Sequence, residues 1–129
     1  MEREELMWLD FAKTDLGVAR LLNEKYYPKP LEIICYHCQQ AAEKAIKAVI
    51  IFHGAQGGMP KKHNLSFLLD QLSNAVNIPE KYYDYADILT PYGVAVRYPN
   101  ELRIEDRNVI EAIQISGELV NWAEEVCRQ

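Results

Sequence analysis

Along almost the whole chain, apolar residues recur at spacings of three and four, and no segment alternates apolar with polar residues over the length of a strand. That period commits the backbone to amphipathic helices, and such stripes leave water by packing helix on helix. The pattern predicts helices near residues 2–26, 31–53, 64–74, 79–98 and 104–128. Short connections reverse direction between neighbours. The expected fold is therefore an all-α, up-and-down antiparallel bundle of four long helices plus one short helix, a single domain over residues 1–129.

The punctuation of the chain agrees with this division. Leu9, Ala12, Leu16, Ala19 and Leu22 form the first stripe, which YYPKP ends. Pro30 suits the first position of the second helix and Gly54 its C-terminal cap. HGAQGGMPKKHN is a loop by composition, and Leu65, Leu68, Leu69 and Leu72 mark one face of the short helix after it. Pro79 and Glu80 open the fourth helix, Pro91 is expected to kink or split it, and Pro99 ends it. The last helix carries Ile110, Ile113, Gly117, Val120 and Cys127 near one face, with Glu105 and Asp106 complementing its N-terminal dipole.

At 129 residues, 49% hydrophobic and 26% charged, the chain has enough apolar matter for a packed core without a disulfide or metal. A net charge of −5 repels polyanions, so contact with nucleic acid must be local. The longest apolar run, Ala48 to Phe52, is far short of the ~20 residues of a membrane span. The acidic start MEREELMW is unlike a signal peptide, and a cytoplasmic location is expected. The three cysteines read as reduced core residues.

The second helix raises the functional question. On a helical wheel, Leu31, Ile34, Cys35, Cys38, Ala41, Ala42, Ala45 and Val49 share one broad face. Tyr36, Gln40, Glu43 and Lys47 fall opposite, with Lys44 and His37 at the margin. Such a stripe is ordinarily a solvated face, with pairs such as Glu43–Lys47 contributing a few tenths of a kcal/mol. Ile33, Ile50 and Ile51 within or beside the arc point instead to contact with a partner.

Other constellations imply little chemistry. Cys35 and Cys38 form a bare C-x-x-C with no second ligand cluster, so no metal is expected. GAQGGMPKKHN lacks P-loop spacing and a preceding strand. His63 reads as a side chain packing or hydrogen-bonding around the turn before the short helix, and His53 sits at the end of the second helix. No serine–histidine–carboxylate set and no cofactor motif is legible.

Taken in order, DLGVARLL (Asp15 to Leu22), QQAAEKAIKA (Gln39 to Ala48), the run from His63 to Leu69 fitting H-x-L-x-x-L-L, and Arg97-Tyr98-Pro99 resemble the HEPN family of prokaryotic helical-bundle domains. The resemblance covers nearly the whole chain. It implies a homodimer, a separately encoded minimal nucleotidyltransferase as partner in pairs that include toxin–antitoxin systems, and nucleotide or RNA contact in the groove between protomers. On that basis Gln40, Glu43, Lys44 and Lys47 line a polar cavity, Arg97 holds phosphate, and His63 is a further candidate approaching from another helix. Many members are metal-independent ribonucleases with four to six residues between an arginine and a histidine. Here those histidine slots hold Leu102, Arg103 and Ile104. No proton shuttle is evident beside Arg97, so an accessory binding domain is expected in preference to a ribonuclease toxin using a displaced base or a purely structural dimer.

Overall fold

The computed structural model describes residues 3–54, 63–95 and 103–129, and all the regular structure among them is helical. The elements are α1 (Glu4–Lys25), α2 (Leu31–Phe52), α3 (Leu65–Asp70), α4 (Glu80–Leu89), α5 (Tyr92–Ala95) and α6 (Asp106–Cys127). The all-α bundle is as the periodicity requires. Its fourth member divides in two where Pro91 removes a backbone donor, giving α4 and the short α5. Arg97, Tyr98 and Pro99 lie outside the described residues.

α1 runs antiparallel to both α2 and α6, which therefore pack against each other in parallel, and α4 opposes α6. Asp15 of α1 meets His37 and Lys44 of α2, while Trp8, a turn or more earlier, meets Lys47. Arg3 donates to the Cys127 carbonyl at 3.1 Å, and the Arg20 guanidinium stands beside Gly117, so α1 opposes α6 as well. Lys13 and Glu124 pair across the same seam. On the far side, Tyr85 and Lys81 reach Glu118, and Tyr82 sets its ring edge-on to Trp122, opposing α4 to α6.

α2 is the central rod. It packs against α1, α6 and the α3–α5 cap, and most of its residues from Ile34 to Ile50 are buried. Gly54 follows it at a φ of 68°, the left-handed conformation that ends helices and suits glycine, and its N–H bonds the Ile51 carbonyl at 2.9 Å. Pro30 falls at the N-cap, one position earlier than expected, and Leu31 begins the helix.

The apolar stripes fill a single core. Leu9, Ala12, Leu16 and Ala19 of α1, Leu65, Leu68 and Leu69 of α3, Leu72 just beyond it, and all three cysteines are buried. Two expectations fail. Ile110, placed on the inner face of α6, is 63% exposed, because the face is centred on Val109, Ala112, Ser116 and Leu119, and one step along a helix turns a side chain by ~100°. Ile50, read as part of a surface awaiting a partner, is 3% exposed within the protomer's own core; Ile33 stays outside.

Candidate functional site

The polar stripe of α2 is not a solvated face. Glu43 and Lys47 are buried, at 4% and 7% exposure, because other helices surround the rod that carries them. A buried charge persists only when paired and hydrogen-bonded. Glu43 meets that condition on every side. Lys47, one turn on, donates to Oε2 at 2.9 Å, and Gln39, one turn back, donates from Nε2 to Oε1 at 3.0 Å. His63 places Nδ1 at 3.0 Å from Oε1 and 3.1 Å from Oε2. Lys47 also lies 5.8 Å from the centre of the Trp8 ring, a cation–π contact on its other flank.

The order then propagates outward. Because Gln39 spends its amide nitrogen on Glu43, with a longer 3.4 Å contact to the His63 carbonyl, its oxygen must face the other way. Gln40 donates to that oxygen at 2.8 Å. Gln39 is fully buried under α5, and a Cβ on Gly93 would stand 2.9 Å from its Cδ, so only glycine lets the two segments approach this closely.

His63 reaches Glu43 because the residue after it is fixed. Asn64 caps α3, its side chain accepting from the Phe67 N–H at 3.0 Å. The Leu65 N–H donates to Thr90 Oγ1 at 3.2 Å, tying the start of α3 to the break before Pro91. Between these parts lies a cavity of about 410 Å³. Tyr36, Gln39 and Gln40 line it from α2, His63 and Asn64 from the approach to α3, and Thr90, Pro91, Gly93 and Val94 from the α4–α5 junction.

The nominated residues thus separate. Gln40 and His63 line the cavity, whereas Glu43 and Lys47 stand behind it as a buried support. Lys44 belongs elsewhere: it donates to Asp15 Oδ2 at 2.6 Å, while His37 takes the other oxygen at 2.9 Å, locking α1 to α2. Arg97 follows Val94 by three positions in sequence and lies outside the described residues. Sequence reading placed Tyr36 in the polar stripe and Gln39 in a family motif but nominated neither for the cavity. The signal for Gln39 was its place in the ladder Gln39–Glu43–Lys47, spaced four residues apart on one helix line.

Burial opposes ionisation of Glu43, but hydrogen bonds from Lys47, Gln39 and His63 together with the lysine's charge outweigh it and hold the carboxyl below its ordinary value of 4.5. Burial pushes the Cys35 and Cys38 thiols up to about 12, so neither supplies a thiolate at neutral pH. Among the described residues no three histidine, cysteine or carboxylate groups converge to hold a metal ion. Nor is any helix among them long and apolar enough to cross a membrane.

The helical bundle that carries this site is a fold already known. The HEPN domain model matches residues 6–126, and the chain belongs to the HEPN family. TT1696 from Thermus thermophilus superposes with a TM-score of 0.81 at 25% identity, over 97% of this chain and 99% of that one. An archaeal HEPN homologue gives 0.74 at 26% identity, over 97% and 98%. An HEPN domain protein from Thermotoga maritima is 31% identical over 95% and 92%, with a TM-score of 0.54. No curated protein matches the chain.

The Glu43 network fixes an acid response. A carboxyl held below its ordinary value stabilises the fold fully above the unfolded-state value and loses that contribution as pH falls through the folded one. Glu43→Gln, which strands the buried Lys47 charge, is expected to cost about 2–4 kcal/mol at pH 7. In urea unfolding from pH 7 to pH 3, the gap between wild type and variant should narrow below pH 4.5. A gap that is constant with pH contradicts the ionised, paired Glu43.

Proposed function

We propose that this HEPN domain binds a nucleotide or single-stranded RNA, with a base seated in the cavity beside Gln39 and Gln40. The observation that carries the reading is the cavity's lining: an aromatic wall and apolar surfaces next to amides whose orientation is already set. Tyr36 with Pro91 and Val94 suits a flat aromatic ring, and the Gln40 amide oxygen is left to accept from a base edge. A volume of about 410 Å³ lies within the range of small-molecule sites.

Phosphate contact is assigned to Arg97 on the strength of the family's arginine–tyrosine–proline motif, the guanidinium fork being suited to phosphate oxygens. Binding is preferred to cleavage, since Leu102, Arg103 and Ile104 occupy the slots where ribonuclease members of the family carry histidine. Family membership also supports a homodimer and, as its partner, a separately encoded minimal nucleotidyltransferase of the toxin–antitoxin kind. Exposed Met7 and Phe11 on α1 and Ile33 on α2 offer apolar surface for such contacts.

Calorimetry with a nucleotide panel and short RNA tests the site. Tyr36→Ala is expected to weaken binding by about 1–3 kcal/mol through lost stacking, and Arg97→Ala by about 1.5–3 kcal/mol, with helical content unchanged in both. Equal affinities for wild type and variants contradict the assignment, and metal-independent RNA cleavage that Arg97→Ala abolishes replaces binding with catalysis. Light scattering is expected to report twice the 14.9 kDa protomer at micromolar concentration; a 14.9 kDa particle contradicts the dimer.

A further inference from the structure

Two of the cations that the sequence offers to an anionic ligand, Lys44 and Lys47, are already committed within the fold. Lys44 neutralises Asp15, and Lys47 neutralises Glu43 behind the cavity wall. Among the described residues lining the cavity, only His63 can carry positive charge. It is also the most accessible member of the Glu43 network, its side chain 75% exposed against 5% for the carboxylate.

Its geometry fixes which nitrogen is available. Nδ1 faces both Glu43 oxygens and must carry a hydrogen to donate to them, so Nε2, on the opposite edge of the ring, is the atom left for a ligand. A neutral ring with its hydrogen at Nδ1 leaves Nε2 a bare acceptor, which repels a phosphate oxygen. An imidazolium donates from both nitrogens. Phosphate at Nε2 therefore requires a second proton on the ring.

We propose that His63 is a phosphate-binding residue of the cavity, engaging a nucleotide or RNA phosphodiester through Nε2, and that ligand binding takes up a proton there. The proposal rests on the nucleotide reading of the cavity and specifies how its charge is met. Among the described residues, the titratable groups around His63 are Glu43, with Lys47 beyond it, and Tyr36, which lines the same cavity. Asn64 and the α4–α5 wall of Thr90, Pro91, Gly93 and Val94 contribute no charge. With His63 neutral the Glu43–Lys47–His63 group sums to zero, and on protonation it presents one positive charge at the point where the cavity opens to solvent.

The test uses a ribodinucleotide with one phosphodiester, whose phosphate does not titrate between pH 6 and 9. Calorimetry in buffers of differing ionisation enthalpy is expected to show proton uptake approaching one per site within that range. Affinity should fall by up to about tenfold per pH unit on the alkaline side. His63→Gln, a change at an exposed position that keeps a hydrogen-bonding group, is expected to bind more weakly at pH 6 and to lose both the uptake and the pH dependence. Tyr36→Ala and Arg97→Ala should bind more weakly yet still take up the proton. Wild-type binding without proton uptake anywhere from pH 6 to 9, or a His63→Gln variant with unchanged uptake, overturns the role of His63 and leaves the nucleotide site standing. Absence of dinucleotide binding overturns both.

Discussion

The Glu43 carboxylate, set in the middle of the most enclosed helix of the bundle, is the group around which the polar architecture is arranged. An unpaired charge there would destabilise the fold by several kcal/mol, so its neighbours are constrained as tightly as any core packing. Lys47 and Gln39 satisfy it along α2, and His63 satisfies it from the segment that leads into α3. Each link fixes the next. The orientation of Gln39 dictates that of Gln40, Gly93 must lack a side chain for α5 to close over Gln39, and Thr90 ties that closure to α3. The cavity takes its shape from these restraints, and its polar wall is preorganised before any ligand arrives.

The same pairing logic explains why the family's sequence marks lie far apart in the chain. Asp15, which opens the first of them, is joined to Lys44 in the second, and Glu43 in the second is joined to His63 in the third. Two paired carboxylates, Asp15 on α1 and Glu43 on α2, thus lock α1 and the α3 segment to the central rod. Lysines that look like ligand-binding groups on a wheel are consumed by this structural work. What lines the cavity among the described residues is uncharged or weakly basic and directional: an aromatic ring, three side-chain amides, a hydroxyl and one histidine. In a protein of net charge −5, a ligand of the proposed kind would be selected there by shape and hydrogen bonding rather than drawn in as a polyanion from a distance.

Helix periodicity, proline and glycine punctuation and the leucine face of α3 were enough to read the bundle from the sequence. These features are local, and the fold follows them. The site was half legible. Gln40 and His63, nominated from the polar stripe and the family motifs, do line the cavity, and of the isoleucines beside the polar arc of α2 Ile50 is covered while Ile33 stays exposed. Their meaning differed from expectation, since at Ile50 the cover comes from the protomer itself. A wheel treats a helix as having one inside, whereas α2, with helices on several sides, has little outside at all. For the same reason Glu43 and Lys47 read as a weak surface pair and prove to be a buried one. Gly93 and Thr90 carry no motif, and their roles arise only when distant segments meet.

A double-mutant cycle between Glu43 and Lys47, using Glu43→Gln and Lys47→Met with stability measured by urea unfolding at pH 7, separates a buried organising pair from a solvated one. A coupling energy above about 1 kcal/mol is predicted, with the double variant more stable than the Glu43→Gln single variant because no stranded charge remains. Coupling of about 0.5 kcal/mol or less, the value ordinary for exposed pairs one helical turn apart, would contradict the buried network on which the cavity depends.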